Sequence, residues 1–583
     1  MQKPTTQHPI CPGFDLRDML RQHLIDRSLE RMAFSEQRRA EALESGDLDA
    51  YREAIREIVR GFYGEFPAGP VEARAVSTHE KEGYRIENVL FESFPGWEVN
   101  ASVYVPTDYA PPFPVVIVPT GHSGKQMINY QLPCQFFARA GYLAISFDPP
   151  GQSSEKQPGN DHFRDGVRCY TVGRTSSRYF VGDALRCIDY AETRPDADTG
   201  GGVAMTGVSG GGTTTIFAVH IDDRIRVIGP ACCVAHRAYL DIKRQYAGCP
   251  ETYQWRRYAE GLDTVDLTCA AAPVPQMQIA GARDDLFFIE HVRETAKAAA
   301  DFYDAAGIPE RYVFFEEDVP HVYSLNMARA FTGFMNRWLV GDPDRPLPDL
   351  PDDAFAMNPY EELRCYPRQD VNMRTIAAAR AREIQEERAK SPDPAAIMEG
   401  AREIVGVEST PEPPPAEIGA PFVMFSHVWR SVLLKPEDGI GLPATYLTGR
   451  DAPPYAVLHL DPGGRGEKLA SGGPLTRVLG LHNPDPGGRL NALAVDLRGW
   501  GDSAPALYPY DMAGWGAPDR IISYMCAALG DPLLSQRTRD ALAALAWLRA
   551  QGMERIVIAG FGLAGWVALH AAAIDGNVSG VVT

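Results

Sequence analysis

Residues 202–221 read GVAMTGVSGGGTTTIFAVHI: an apolar strand pattern, a run of small residues, then an apolar stretch long enough for a helix. At its centre Gly207-Val208-Ser209-Gly210-Gly211 has the form G-x-S-x-G. Five residues of this kind recur by chance, so the context decides. A strand that enters a sharp turn and opens a helix presents the serine hydroxyl at the crest of the turn, and glycines beside it let the neighbouring backbone close in. A phosphate-binding glycine loop is the competing reading; it lacks a Lys after the glycines and any G-x-G-x-x-G spacing. Ser209 is the candidate nucleophile.

A serine hydroxyl attacks poorly until a base takes its proton, and the base must be held by a carboxylate. Downstream, the strand pattern PQMQIAG ends in Gly281-Ala282-Arg283-Asp284-Asp285, an acid just past a strand end, where open α/β sheets carry their sites. The next strand pattern, RYVFFEEDVPHVYS, leaves His321 in the loop behind it. The order Ser209, Asp284, His321 is the one this chemistry uses on such a sheet, with Asp285 as the alternative acid. Of the other histidines, His220 and His291 fall in helical runs and read as structural, while His162 and His236 fall in insertions expected to line the pocket and stay open as alternative bases. Two fixed N–H donors must face the oxyanion: Gly210, next to the nucleophile, and His122 in Gly121-His122-Ser123-Gly124 after the strand FPVVIVP. The His122 ring has no H-x-H or H-x-x-x-H partner, so the sequence predicts no metal site.

Outward from this centre, strands FPVVIVP, YLAISFD, GVAMTGV, RIRVIGP, PQMQIAG and RYVFFEE alternate with helical stretches, which predicts a doubly wound, mostly parallel α/β sheet with helices on both faces. Residues from about Asp15 to Tyr63 carry helical periodicity, and RIENVLFESF and WEVNASVYVP flank Pro95-Gly96 as a hairpin. From Gly341 to Ala420 the pattern breaks into DPDRPLPDLPDD, the charged helix MRTIAAARAREIQEERAK and PEPPP, read as a linker containing a helix. Beyond it the chain repeats itself: RIVIAGFGLAGWVALHAAAID from Arg555 lies on GVAMTGVSGGGTTTIFAVHID from Gly202 at a constant offset. Ser209 falls on Gly562, so the second copy keeps the turn and loses the hydroxyl. The expected organisation is a helical segment over 1–80, a catalytic domain over 81–340, a linker over 341–420 and an incomplete second copy over 421–583.

Gly121-His122-Ser123-Gly124-Lys125, Phe147-Asp148-Pro149-Pro150-Gly151-Gln152, the elbow with its extra Gly212, and Ala231-Cys232-Cys233 resemble the acetyl xylan esterase-like and dienelactone hydrolase-like branch of the α/β-hydrolase superfamily over residues 80–340. The resemblance implies Ser209, Asp284 and His321 as the triad, hydrolysis of carboxylic esters without a cofactor, and a small-molecule or carbohydrate ester as substrate. Two readings compete: a serine peptidase or amidase of the same fold, and a catalytically silent scaffold or binding protein. The insertion after RIRVIGP carries Tyr246, Tyr253, Trp255 and Tyr258, aromatics placed to cover a pocket and contact the ester.

The 583 residues carry a formal charge of −19, a field that repels phosphate backbones and anionic lipid. Nucleic acid and membranes are not expected partners; a homo-oligomer is compatible with the sequence. Neither a basic-then-apolar leader nor a run of 18 apolar residues is visible, and the ten cysteines show no C-x-x-C pair, so a cytoplasmic protein with buried thiols is the expectation.

Overall fold

The computed structural model describes residues 15–153, 155–236, 250–390, 393–424, 427–470, 473–479, 490–505 and 518–583. The chain divides into two compact units, one of residues Leu29–Glu387, the other of the described residues up to Ser28 with Arg388–Thr583.

The Leu29–Glu387 unit is built on one sheet. Its strands are β1 (Arg74–Lys81), β2 (Tyr84–Phe94), β3 (Trp97–Pro106), β4 (Phe113–Pro119), β5 (Leu143–Phe147), β6 (Ala197–Asp198), β7 (Val203–Val208), β8 (Ile225–Ala231), β9 (Gln276–Gly281) and β10 (Tyr312–Glu317). They lie in the order β1-β2-β3-β5-β4-β7-β8-β9-β10, with the two-residue β6 beside β4. β1, β2, β3 and β5 pair antiparallel; from β5 through β4 to β10 every pairing is parallel. The sequence explains the split. β5 (LAISF) and β7 (VAMTGV) are buried at every residue, as strands covered on both faces must be. β1 (RAVSTHEK) is charged and exposed, which suits an edge that must not recruit another strand.

Both faces are covered by helices. On one, Ile55 and Val59 of the helix Leu48–Tyr63, Val181 and Ile188 of Ser177–Glu192, and Phe217 of Gly210–Ala218 pack on Val115, Ile117 and Leu143. The Leu48–Tyr63 helix starts on Asp47, whose carboxylate accepts the Ala50 N–H. On the other face Phe136 and Phe137 of Ile128–Arg139 and Met327 and Phe331 of Leu325–Met335 pack on Val116, Val118 and Ala144.

Two boundaries differ from the sequence expectation. The sheet begins at Arg74, one strand before the predicted hairpin; the edge strand escaped notice because its alternation is polar on both faces. The stretch read as a linker is divided, and its part up to Glu387 groups with the Leu29–Glu387 unit. Buried polar side chains hold it there. Glu155 accepts the Cys365 N–H at 3.0 Å, Gln131 accepts the Asn358 N–H at 2.8 Å and Asn160 accepts the Met373 N–H at 2.8 Å. A proline-rich segment with few backbone partners of its own is satisfied by side chains from elsewhere in the fold.

In the second unit β11 (Ala416–Ile418), β12 (Phe422–Met424), β13 (His427–Glu437), β14 (Ile440–Gly449), β15 (Tyr455–Leu460), β16 (Asn491–Val495), β17 (Arg555–Gly560) and β18 (Gly580–Val582) form a sheet of order β11-β13-β14-β16-β15-β17-β18, with β12 on β13. Antiparallel pairing through β13, β14 and β16 gives way to parallel pairing from β16 through β15 and β17 to β18. Behind β16, Arg498 is buried and bound to the buried Asp540. Among the described residues eight cysteines are buried free thiols, and no helix is long and apolar enough to cross a membrane.

Candidate active site

β7 runs straight into the helix Gly210–Ala218, and Ser209 takes the turn between them at φ 60°, ψ −122°. Positive φ at a residue with a Cβ is strained and persists only where the surroundings enforce it. Here the enforcement is close packing. A Cβ on Gly207 would stand 2.4 Å from the Pro119 carbonyl oxygen, on Gly211 2.1 Å from the same atom, and on Gly212 2.5 Å from Cys233 Sγ. The three glycines therefore let the turn sit against the ends of β4 and β8. Because the Pro119 oxygen is backbone and cannot swing away, Gly211→Ala is expected to cost about 3 kcal/mol of stability, read as a lowered urea midpoint, while an alanine at the open Gly333 should not.

The candidate acid and base, Asp284 and His321, stand at the same edge of the sheet, because β7, β8, β9 and β10 are parallel neighbours and their C-terminal ends align. Asp284 follows β9 and is buried. Its Oδ1 accepts the N–H groups of Leu286 at 2.9 Å and Phe287 at 3.0 Å. Oδ2 lies 2.7 Å from His321 Nδ1. A carboxylate can only accept there, so Nδ1 carries the proton and Nε2 is left with its lone pair. The Phe287 ring lies nearly parallel to the imidazole, centroids 5.8 Å apart, and fixes its plane. Cys232, at φ 48°, brings its sulfur within 4.8 Å of both Asp284 and His321; burial pushes this thiol well above its ordinary range, so it is a neutral filler against the pair. Asp285 is exposed.

The loop after β4 packs directly on the turn: a Cβ on Gly121 would stand 2.9 Å from the Gly210 nitrogen. This brings the segment carrying His122 beside the first amide of the helix, the two positions the sequence nominates for the oxyanion. The other histidines part company. His220 Nε2 bonds the Leu267 carbonyl at 2.9 Å, and burial pushes its pKa down to about 3. His291 pairs with Glu294 at 3.3 Å on its own helix and His236 with Asp263 at 2.6 Å. His162, expected in the pocket lining, is buried with its ring 5.2 Å from that of His122, and Glu251 reaches both. Sequence reasoning missed this cluster: its members lie on three separate segments with no recurring spacing.

Of the aromatics expected to contact substrate, Tyr246 lies outside the described residues. Tyr253 and Tyr258 are fully buried and meet edge to face at 6.4 Å, whereas Trp255 is 47% exposed.

In the second unit the turn between β17 and the helix Leu563–Asp575 is made by Gly562 at φ 59°, ψ −124°, within two degrees of Ser209 in both angles. A Cβ there would meet nothing within 4 Å.

No family model and no curated protein matches the chain. Solved structures similar to it include a methylesterase, 20% identical at a TM-score of 0.44, the match covering 61% of this chain and 74% of that one. A glucuronoyl esterase from Solibacter usitatus is 16% identical at a TM-score of 0.39, over 48% of this chain and 91% of that one. Another from Caldicellulosiruptor kristjansonii is 19% identical at 0.37, over 52% and 90%. By its own strand order, its elbow at Ser209 and the downstream loops that carry Asp284 and His321, the Leu29–Glu387 unit has the fold of the α/β-hydrolase superfamily.

Proposed function

We propose that the protein is a serine carboxylic-ester hydrolase that works through an acyl-enzyme, with Ser209 as nucleophile, His321 as general base and then acid, and Asp284 as the group that orients His321. The observation that carries this is the 2.7 Å Asp284–His321 bond at the sheet edge where a strained turn lifts Ser209. In the reaction His321 Nε2 takes the Ser209 proton as Oγ attacks the carbonyl carbon. Asp284 stabilises the imidazolium so formed, and the amides of Gly210 and His122 take the oxyanion's charge. The imidazolium then protonates the leaving alcohol, and water repeats the sequence to release the acid. Esters are favoured over peptides because alcohols leave more readily than amines. The test is labelling of Ser209 by a fluorophosphonate, together with turnover of p-nitrophenyl acetate but not of aminoacyl anilides; an unlabelled serine in the folded protein would favour the silent scaffold instead.

The substrate in this reading is a small-molecule or carbohydrate ester. The second unit is read as a degenerate copy of the first: matching strand order, matching turn angles and glycine where the nucleophile would stand support a duplication that kept the scaffold and discarded the chemistry. Glycine there relieves the strain that Ser209 must bear. Gly562→Ala is accordingly expected to destabilise the unit by about 1–3 kcal/mol through backbone strain alone, seen in its unfolding transition, with p-nitrophenyl acetate turnover unchanged.

A further inference from the structure

His122, His162 and Glu251 converge although they come from separate segments, Glu251 from the short 3-10 helix Pro250–Thr252. His122 Nε2 lies 3.7 Å and His162 Nδ1 3.4 Å from the same Glu251 oxygen, Oε1, and the three ligand atoms all fall within 4.8 Å of one another. The protonation of His162 follows from its other nitrogen. Nε2 lies 2.7 Å from the Pro150 carbonyl oxygen, which can only accept, so Nε2 carries a proton. In the neutral ring Nδ1 is then a bare lone pair. Nδ1 is thus the nitrogen turned toward Glu251 Oε1. The Gln152 amide nitrogen lies 3.3 Å from Nδ1 and 3.1 Å from Nε2; such similar distances place it across the ring and off the axis of the Nδ1 lone pair.

The two separations from Glu251 Oε1, 3.4 and 3.7 Å, suit a cation held among the three groups. Four ligands around a tetrahedral ion with bonds of about 2.1 Å stand about 3.4 Å apart, against about 3.0 Å for neighbours around an octahedral one. Two imidazoles and one carboxylate form a donor set of catalytic zinc sites, with the fourth position left for water or a substrate oxygen. A hydrogen bond from the non-ligating nitrogen to a backbone carbonyl, as His162 gives Pro150, is the usual device that orients a ligating imidazole. We propose that His122, His162 and Glu251 are a Zn2+ site beside the Ser209 turn. It stands whether or not Ser209 is the nucleophile.

The test is titration of tag-free, chelator-stripped full chain with Zn2+ by calorimetry and with Co2+ by visible absorption. One equivalent of each is expected to bind, Co2+ with the intense band of tetrahedral coordination. Glu251→Gln and His162→Asn should weaken binding by more than about 100-fold, beyond what loss of an outer-sphere partner alone produces, with thermal melting showing which variants fold. Asp284→Asn should bind as the parent does, because its carboxylate belongs to the separate Cys232–Asp284–His321 group. Failure of the unmodified protein to bind either ion overturns the proposal whatever the variants do. So does binding that survives Glu251→Gln and is lost in Asp284→Asn. Retention of the ion by folded Glu251→Gln at parental affinity overturns it too, leaving a protonated His162 paired with Glu251.

Discussion

Ser209→Ala is expected to lower kcat/KM for p-nitrophenyl acetate by about 10^4- to 10^6-fold, equivalent to about 5–8 kcal/mol of barrier. The size follows from what the hydroxyl does: without it no acyl-enzyme forms, and the His321 base has only water to activate. The residual rate is what the oxyanion donors and ester binding supply by themselves. Stability separates loss of chemistry from loss of fold. Alanine keeps the Cβ and thus the strain of φ 60°, so Ser209→Ala should melt with the parent. Ser209→Gly removes the strain and should be more stable by about 1 kcal/mol while equally inactive. Gly562, with the same backbone angles in the second unit, is the relaxed form of this turn. Unchanged turnover in a folded Ser209→Ala protein would end the serine mechanism for this chain.

The same comparison indicates what the sequence made legible. The elbow was readable because its glycines are demanded by contacts one residue thick: Gly207 and Gly211 both press on the Pro119 carbonyl, and no other residue type fits. The parallel strands were readable because burial on both faces leaves nearly continuous apolar runs, as in β5 and β7. The edge strand β1 was not, since an exposed edge carries the polar pattern of a loop. Cys365 and Asn358 sit in a stretch whose composition says linker; their attachment depends on Glu155 and Gln131, more than two hundred residues away, and no local pattern reports such a partner. The cluster of His122, His162 and Glu251 escaped for the same reason. Asp284 was preferred to its neighbour Asp285 on position in the loop alone, and burial and the direction of the side chain are what separate them physically.

That separation gives the second large effect. Asp284→Asn is expected to reduce kcat by about 10^4-fold, about 5.5 kcal/mol, and Asp285→Asn, a change at an exposed carboxylate, by less than about twofold. The reason lies in how Asp284 is held. Its Oδ1 takes two backbone N–H groups, from Leu286 and Phe287, and the asparagine oxygen must keep that position because an amide NH2 there would face two donors. The NH2 is then turned toward His321 Nδ1, which must present a lone pair to it, and the ring proton moves to Nε2. The imidazole stays in place, stacked on Phe287, yet the nitrogen that should receive the Ser209 proton already carries one. The signature is a fall in kcat with KM and thermal stability nearly unchanged, and slow labelling by fluorophosphonate in the same proportion. If Asp285→Asn were the inactive variant and Asp284→Asn the active one, His321 would have to turn away from its 2.7 Å partner, and the assignment of acid and base would fail together.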